Sequence, residues 1–185
     1  MSHIEYEVRV LEINEKDIKN KLEELNATLV EDVLQKRYVY DFKPVLPEKW
    51  IRLRTNGKKS TLTIKNVEKS TIDGTKEVEI EVSDFDLTNE ILNELGYNPR
   101  GIQENKRIKY DLNGVEVDID TWPMIPTYLE IEGSSEKEVF DTLKLLGIDK
   151  KDATSLDVQN IYKEIYGIDL KTIPNLSFDK SITKH

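Results

Sequence analysis

Residues 50–67 read WIRLRTNGKKSTLTIKNV, and this stretch predicts a β-hairpin. Apolar and polar side chains alternate on both sides of Asn56-Gly57, the dipeptide that two-residue hairpin turns favour. One face of the hairpin is apolar, whereas the other carries charged and hydroxyl side chains, namely Arg52, Arg54, Thr61, Thr63 and Lys65. The hairpin therefore has one face suited to a hydrophobic core and one face of concentrated charge.

The same alternation predicts strands along most of the chain. They lie at residues 4–11, 28–33, 35–42, 77–82, 103–112, 115–122 and 127–132, with turns at Asp73-Gly74 and Asn113-Gly114 and a loop at 44–47. Amphipathic helices are predicted at residues 15–25, 87–95 and 135–146, and another begins after residue 155. Strands joined by such short turns favour a barrel or a sandwich. The distribution of charge described below favours a closed eight-stranded antiparallel barrel with helices packed outside, an α+β fold. We expect residues 1–150 to form the barrel and residues 151–185 to form a helical extension packed on it, with a weakly ordered end.

The polar faces of these strands are segregated by charge. Acidic faces carry Glu5 and Glu7, then Glu77, Glu79 and Glu81, then Asp118 and Asp120, then Glu130 and Glu132, and basic faces carry Arg52 with Arg54 and Arg107 with Lys109. Charge runs of this kind usually form the solvated outer face of a sheet. Like charges two residues apart repel unless something neutralises them, so the segregation favours the opposite orientation. The charged faces would then line one lumen that holds metal and phosphate, and the helices would cover the apolar faces from outside.

Composition narrows the function classes. The chain has 185 residues, 34% of them charged, and a formal net charge of −9 at pH 7. Such an acidic chain is not a general nucleic-acid binder, although a local basic pocket can still bind an anion.

The absence of cysteine excludes disulfides and thiolate metal sites. Because the sequence shows neither a signal pattern nor a long apolar stretch, we expect a cytoplasmic protein with no membrane partner. Neither His3 nor His185 has a neighbour at metal-ligand spacing.

Taken in order, the charged motifs resemble those of the CYTH superfamily, the triphosphate tunnel metalloenzymes, which includes class IV adenylate cyclases and thiamine triphosphatases. The ExExK signature of that family is similar to Glu5, Glu7 and Arg9, with arginine in the lysine position. The RxR pair of the family is similar to Arg52 and Arg54, and its Thr-x-Lys element is similar to Thr63 and Lys65. Its acidic strand is similar to the strand that carries Glu77, Glu79 and Glu81. Its late Asp is similar to Asp120, and its final ExE is similar to Glu130 and Glu132. The resemblance spans residues 4–147.

Three positions depart from the family pattern. Asn105 stands where relatives often carry a lysine, and strand alternation makes Lys109 better placed than Lys106 to compensate. Arg37 stands where many relatives have an Asp, and residues 120–126 replace the glycine-rich turn of cyclase-like relatives. These departures bear on the particular reaction more than on the fold.

The resemblance implies roles for the charged residues. Mg²⁺ or Mn²⁺ would be held by Glu5, Glu7, Asp120, Glu130 and Glu132. The triphosphate would be bound by Arg9, Arg52, Arg54, Lys65, Arg107 and Lys109. Catalysis would depend on Glu5, Glu7, Arg52 and Lys65, while a second metal or the orientation of the basic residues would depend on Glu77, Glu79, Glu81 and Asp118. For each residue, an internal salt bridge within a charged lumen is the alternative.

The implied function is metal-dependent hydrolysis of a nucleoside triphosphate, thiamine triphosphate or inorganic tripolyphosphate. Two alternatives stay open. One is conversion of ATP to cyclic AMP and pyrophosphate, and the other is binding of a nucleotide or polyphosphate without turnover. A lipocalin-like carrier is disfavoured, because its lumen would be apolar. The expected partner is a small-molecule triphosphate, and the barrel could also form a homodimer.

Overall fold

The computed structural model describes residues 3–67 and 71–179, which form a barrel of eight long strands. In chain order these are β1 (His3–Val10), β2 (Thr28–Leu46), β3 (Lys49–Thr55), β4 (Ser60–Val67), β5 (Thr75–Val82), β6 (Gly101–Leu112), β7 (Val115–Thr121) and β8 (Tyr128–Gly133). Around the barrel the order is β6-β2-β3-β4-β5-β1-β8-β7, and β7 pairs with β6 to close the ring. Every pairing in the ring is antiparallel. The predicted closed eight-stranded α+β barrel is therefore confirmed.

Four helices and two short strands complete the described chain. The helices are α1 (Glu15–Glu24), α2 (Phe85–Glu94), α3 (Glu136–Leu145) and α4 (Val158–Asn160). Strand β9 (Ala153–Thr154) pairs with β1, and β10 (Asn175–Leu176) runs parallel to β6. In the part of the chain that the structure describes, no helix has the length and apolar character needed to span a membrane.

Helices α1 and α3 cover the outer apolar side of β1, β6, β7 and β8. Asn14 begins α1, because its side chain accepts hydrogen bonds from two backbone N–H groups of the first turn. Ile18 and Leu22 lie one turn apart on the buried stripe of α1, and Val139 and Leu143 do the same in α3. Burying each such side chain contributes roughly 1.5–3 kcal/mol. Because this apolar side is turned towards the helices, the alternate, charged side of each strand is turned into the barrel.

Helix α2 covers a second part of the barrel wall, but the cover is incomplete. Leu92 of α2 packs in a cluster with Tyr40 and Leu53 from β2 and β3. On β5, however, Val78 is 47% exposed and Ile80 is 57% exposed. The expectation that helices cover the outer apolar faces is thus correct around α1, α2 and α3 and wrong at β5.

Strand β2 replaces two predicted strands. Residues 28–33 and 35–42 belong to one strand of 19 residues. Its register with β6 shifts between Leu29 and Glu31, because an irregularity of the β-bulge type absorbs a residue without ending the strand. Pro44, predicted in a loop, lies near the end of β2. The length of β2 lets it pair with both β3 and β6.

The segment that follows residue 155, which we call the tail, differs from the predicted amphipathic helix. Helix α4 has three residues and continues as a π-helical turn, Ile161–Ile165. Ile161 and Tyr162 are fully buried in a cluster with Trp122 and Tyr128 of the barrel. Tertiary packing therefore shapes this segment more than helical periodicity does. The predicted weakly ordered end, with His185, falls on residues 180–185, which lie outside the described residues.

Candidate active site

The inward faces of the eight strands line a cavity of about 260 Å³ that is partly open to solvent. Residues directly opposite each other in a strand pair share a face, so Arg52, Thr63 and Glu79 lie side by side on β3, β4 and β5. The candidate residues that line the cavity are Glu5, Glu7, Arg9, Arg52, Arg54, Lys65, Glu77, Glu79, Arg107, Lys109, Glu130 and Glu132. Most of the charged candidates are thus brought together in one tunnel.

Three candidates lie elsewhere. Asp118 and Asp120 are almost completely buried behind Arg107 and do not line the cavity. Glu81 lies outside the tunnel, where its carboxylate is exposed and pairs with Lys59 at 3.4 Å. A role for Glu81 in binding a metal or substrate has no geometric support.

Arg107 lies at the centre of a buried ionic cluster. Its guanidinium donates to both carboxylate oxygens of Asp120, from Nε at 2.9 Å and from Nη2 at 2.6 Å. It also pairs with Asp118 Oδ2 at 2.5 Å and Glu130 Oε1 at 2.8 Å. Burial disfavours the charged guanidinium, but these carboxylates outweigh burial, so the pKa of Arg107 lies well above its ordinary range. We call Arg9, Arg107, Asp118, Asp120 and Glu130 the braced cluster.

Arg9 completes the braced cluster from β1. Its Nε donates to Glu130 Oε2 at 2.6 Å and its Nη2 donates to Glu7 Oε2 at 2.7 Å. Its Nη1 donates to the backbone carbonyl of Leu156 at 2.9 Å, so the tail supplies one of its partners. Burial alone would raise the pKa of Glu130, but Arg9 and Arg107 together lower it well below its ordinary range. Glu130 is therefore a fixed anion held between two arginines.

On β3, β4 and β5 the lysine is closely paired, whereas the arginines have looser contacts. Lys65 Nζ lies 3.3 Å from Glu5 Oε2 and also pairs with Glu77. Arg52 Nη2 lies 3.4 Å from Glu79 Oε2 and 3.7 Å from Glu77 Oε2. The only carboxylate near Arg54 among the described residues is that of Glu79, at 3.9 Å. Arg52 and Arg54 are thus less tightly paired than the arginines of the braced cluster.

Glu132 makes no hydrogen bond or ion pair within residues 3–67 and 71–179, although it lines the tunnel. Burial raises its pKa to about 8, and the nearby carboxylates of Glu5, Glu116 and Glu130 add to the shift. Burial also raises the pKa of Asp118, to about 9, in spite of Arg107. The acidic wall, formed by Glu5, Glu7, Glu116, Glu130 and Glu132, therefore holds more carboxyl groups than its basic partners can keep ionised near neutral pH.

The carboxylate side chains of the tunnel are of the chemical type that binds a divalent cation. In the part of the chain that the structure describes, no three carboxylate or imidazole groups are gathered closely enough to hold a metal ion. Carboxylates are nevertheless the ligands that Mg²⁺ and Mn²⁺ prefer. Glu132 lies directly opposite Glu7 in the β1–β8 pairing, and Glu5 lies two residues before Glu7 on the same face. Glu5, Glu7 and Glu132 are therefore the side chains best suited to a cation.

Two further residues of the tunnel were assigned no function from the sequence. Glu116 lines the cavity and pairs with Lys109 at 2.7 Å. The alternation that places Asp118 and Asp120 on one face of β7 also includes Glu116, so the sequence did contain this signal. Arg37 lines the cavity from β2, and the sequence indicated only that it replaces an acidic residue.

One mouth of the tunnel is formed partly by the tail, with Asp157, Gln159 and Lys171 among its lining residues. Arg100, at the start of β6, donates to Asp41 Oδ1 at 2.6 Å and to Gln159 Oε1 at 3.1 Å. The tail is thus joined to the barrel at the edge of the cavity.

A family model, described as the CYTH domain, matches residues 3–156. The chain belongs to the CYTH family. No curated protein matches its sequence. Among solved structures, the PH1012 protein of Pyrococcus horikoshii is similar to this CYTH protein with 26% identity and a TM-score of 0.72, over 83% of this chain and 96% of that one.

Two more distant structures share the fold. A putative adenylate cyclase from Vibrio parahaemolyticus has 14% identity and a TM-score of 0.73, over 91% of this chain and 100% of that one. HpAC1 from Hippeastrum, described as a putative adenylyl cyclase with a dominant triphosphatase activity, has 18% identity and a TM-score of 0.60, over 90% of this chain and 96% of that one. The resemblance to the CYTH superfamily is therefore confirmed, and CYTH-type cyclases and triphosphatases are among the structural neighbours.

Proposed function

We propose that this CYTH protein is a divalent-metal-dependent triphosphatase that binds its substrate inside the barrel. The observation that carries the proposal is the division of the tunnel lining into a basic wall of loosely paired arginines and an acidic wall with more carboxyl groups than nearby cations can keep ionised. Arg52 and Arg54 lie on the basic wall, and Glu7 and Glu132 lie on the acidic wall. A triphosphate with a bound cation carries both of the charges that such a lining accepts.

The basic residues divide by how strongly they are already paired. Arg9 and Arg107 are held by carboxylates at 2.5–2.9 Å, so we assign them to holding Glu130 in place. Arg52 and Arg54 have carboxylate contacts of 3.4–3.9 Å. A guanidinium fork grips phosphate oxygens in pairs, and these two side chains can exchange weak internal contacts for substrate oxygens. Lys65 and Lys109 would add positive charge along the same chain of phosphates.

Glu5, Glu7 and Glu132 would hold the metal, with Glu130 and Asp120 supporting them through Arg9 and Arg107. When bound, Mg²⁺ or Mn²⁺ neutralises phosphate charge and lowers the pKa of a coordinated water. Burial and the neighbouring carboxylates raise the pKa of Glu132 to about 8, and a bound cation would favour its ionised form. We assign Glu132 to holding the metal, because it has no competing partner among the described residues.

The test is phosphate release from a panel of ATP, GTP, thiamine triphosphate and inorganic tripolyphosphate, with Mg²⁺ or Mn²⁺ and without metal. The wild type is compared with Glu7→Gln and Arg52→Ala, and Glu81→Gln serves as a control outside the tunnel. Metal-dependent turnover that falls at least about 100-fold in the first two variants, the loss typical of removing an important catalytic group, and persists in the control supports the proposal. Cyclic AMP and pyrophosphate as products would identify a cyclase instead. Binding of a triphosphate without turnover of any substrate would make the protein a binding module.

A further inference from the structure

Arg37 is a buried tunnel arginine without a counter-charge. It is 7% exposed, and its Nη2 donates to Gln35 Oε1 at 3.1 Å and to Asn105 Oδ1. Both partners are neutral amides. Its Nε makes no hydrogen bond, and no carboxylate among residues 3–67 and 71–179 lies within 4.0 Å of its guanidinium. Arg9 and Arg107, by contrast, each contact at least two carboxylates.

The surroundings of Arg37 add positive charge. Arg54 lies directly opposite it in the β2–β3 pairing, and like charges in that position repel each other. Burial lowers the pKa of Arg37 well below its ordinary range, and Arg52, Arg54 and Arg107 lower it further, while Asp120, which accepts a hydrogen bond from Asn105, opposes the shift without contacting Arg37. A buried charge normally persists only when it is paired. We call the inward side of β2 and β3 that carries Arg37, Arg52 and Arg54 the β2–β3 wall. This wall therefore lacks an anion beside Arg37.

The guanidinium of Arg37 is held in place by the barrel and the tail. Its Cζ lies 4.5 Å from the ring centroid of Trp122, a cation–π distance. Trp122 itself is buried and makes an edge contact with Tyr162 of the tail, with ring centroids 6.3 Å apart. Tyr162 in turn donates a hydrogen bond to the backbone carbonyl of Pro123 at 2.5 Å. A guanidinium fixed on such a platform is preorganised for an anion.

We propose that Arg37 and Arg54 form an anion subsite that takes the terminal phosphoryl group of the substrate. The inference rests on the proposed function and specifies which end of the substrate meets the β2–β3 wall. A terminal phosphoryl group has a larger negative charge and more free oxygens than an esterified one, so it compensates two facing guanidinium groups best. A neutral nucleoside at this wall would leave Arg37 buried and unpaired. A nucleotide therefore binds with its γ-phosphate at Arg37 and Arg54 and with its nucleoside directed away from them.

The test compares two probes by titration calorimetry. Inorganic tripolyphosphate has free phosphoryl ends, whereas both ends of diadenosine triphosphate are esterified. We expect Arg37→Gln to weaken tripolyphosphate binding by about 10- to 100-fold, the range for losing hydrogen bonds to a charged group. Diadenosine triphosphate binds the wild type weakly, and its affinity changes less than threefold in the variant. Because the substitution removes an unpaired buried cation, the melting temperature of the ligand-free variant equals or exceeds that of the wild type.

Arg100→Gln is the matched control, because it removes another guanidinium of the tunnel lining that is already paired with Asp41. It should change tripolyphosphate affinity less than threefold. The subsite is refuted if Arg37→Gln binds tripolyphosphate like the wild type, or if its ligand-free melting temperature falls by several degrees. Equal losses for both probes would refute the preference for a terminal group, and so would a wild type that binds neither. Arg37-dependent binding without any turnover would leave the subsite standing and overturn the triphosphatase proposal.

Discussion

Arginines are closely paired with carboxylates in the braced cluster, whereas on the β2–β3 wall they are not. In the braced cluster, Arg107 contacts three carboxylates at 2.5–2.9 Å. On the β2–β3 wall, Arg37 has only neutral amides, and Arg54 has one carboxylate at 3.9 Å. A fully paired arginine has little left to offer a ligand, whereas an unpaired one gains from binding an anion. The comparison separates the part of the tunnel that holds the barrel's shape from the part that is available to substrate.

The largest expected effect comes from removing the centre of the braced cluster. Arg107→Gln leaves Asp118 and Asp120 buried without their cation and leaves Glu130 with Arg9 alone, and we expect a loss of about 3–5 kcal/mol in the free energy of unfolding. Urea denaturation followed by circular dichroism measures it. Arg37→Gln, measured alongside, should cost nothing. A loss below about 1 kcal/mol for Arg107→Gln would remove the distinction between the two regions.

The next effect is a pH dependence that isolates Glu132. Its pKa is 4.5 in the reference state and about 8 in the folded protein, so the folded state binds the proton more tightly. The wild type therefore loses stability as pH rises from about 4.5 to about 8, by roughly 4 kcal/mol. Glu132→Gln should not show this part of the loss.

Chemical denaturation of both proteins at pH 5, 6.5 and 8 measures the difference. Adding Mg²⁺ at pH 8 should restore stability to the wild type and not to the variant. If the free energy of unfolding changed with pH in the same way for both proteins, the pKa of Glu132 would not be raised in the folded state.

The smallest effect is expected outside the tunnel. Glu81 continues the acidic face of β5 but pairs with Lys59 where both side chains are more than half exposed. Solvent screens such a pair, so Glu81→Gln should change the free energy of unfolding by less than about 0.5 kcal/mol. A thermal melt at low and at high salt checks this. A larger change would mean that the charged face of β5 acts as one unit along its whole length.

Strand alternation made much of the tunnel predictable. A period of two places Glu5, Glu7 and Arg9 on one face, and the segregation of acidic and basic faces indicated that this face is turned inward. The closed barrel could be predicted for the same reason. Glu116 could have been found too, because it shares the face of Asp118 and Asp120.

Other features depend on contacts between distant parts of the chain. Nothing near Arg37 in the sequence shows that its neighbours across the strands are Asn105 and Trp122 instead of a carboxylate. The distinction between tightly and loosely paired arginines requires distances that no motif contains. The single long β2 was missed because the sequence pattern was divided at Leu34, where the pairing with β6 is in fact continuous. The tail was predicted as a regular helix, but the burial of Ile161 and Tyr162 against the barrel decides its shape.

The hydrogen bond from Arg9 to Leu156 has a consequence for how the protein is made. Arg9 leaves the ribosome well before its partners Glu130 and Leu156, which follow 121 and 147 residues later. At about 5–20 residues per second, the last of them is synthesised roughly 7–30 seconds after Arg9. Through that interval the charges of β1 must remain in water, because burying them unpaired is too costly. The burial of Arg9 inside the barrel therefore waits for a segment that is made more than a hundred residues afterwards.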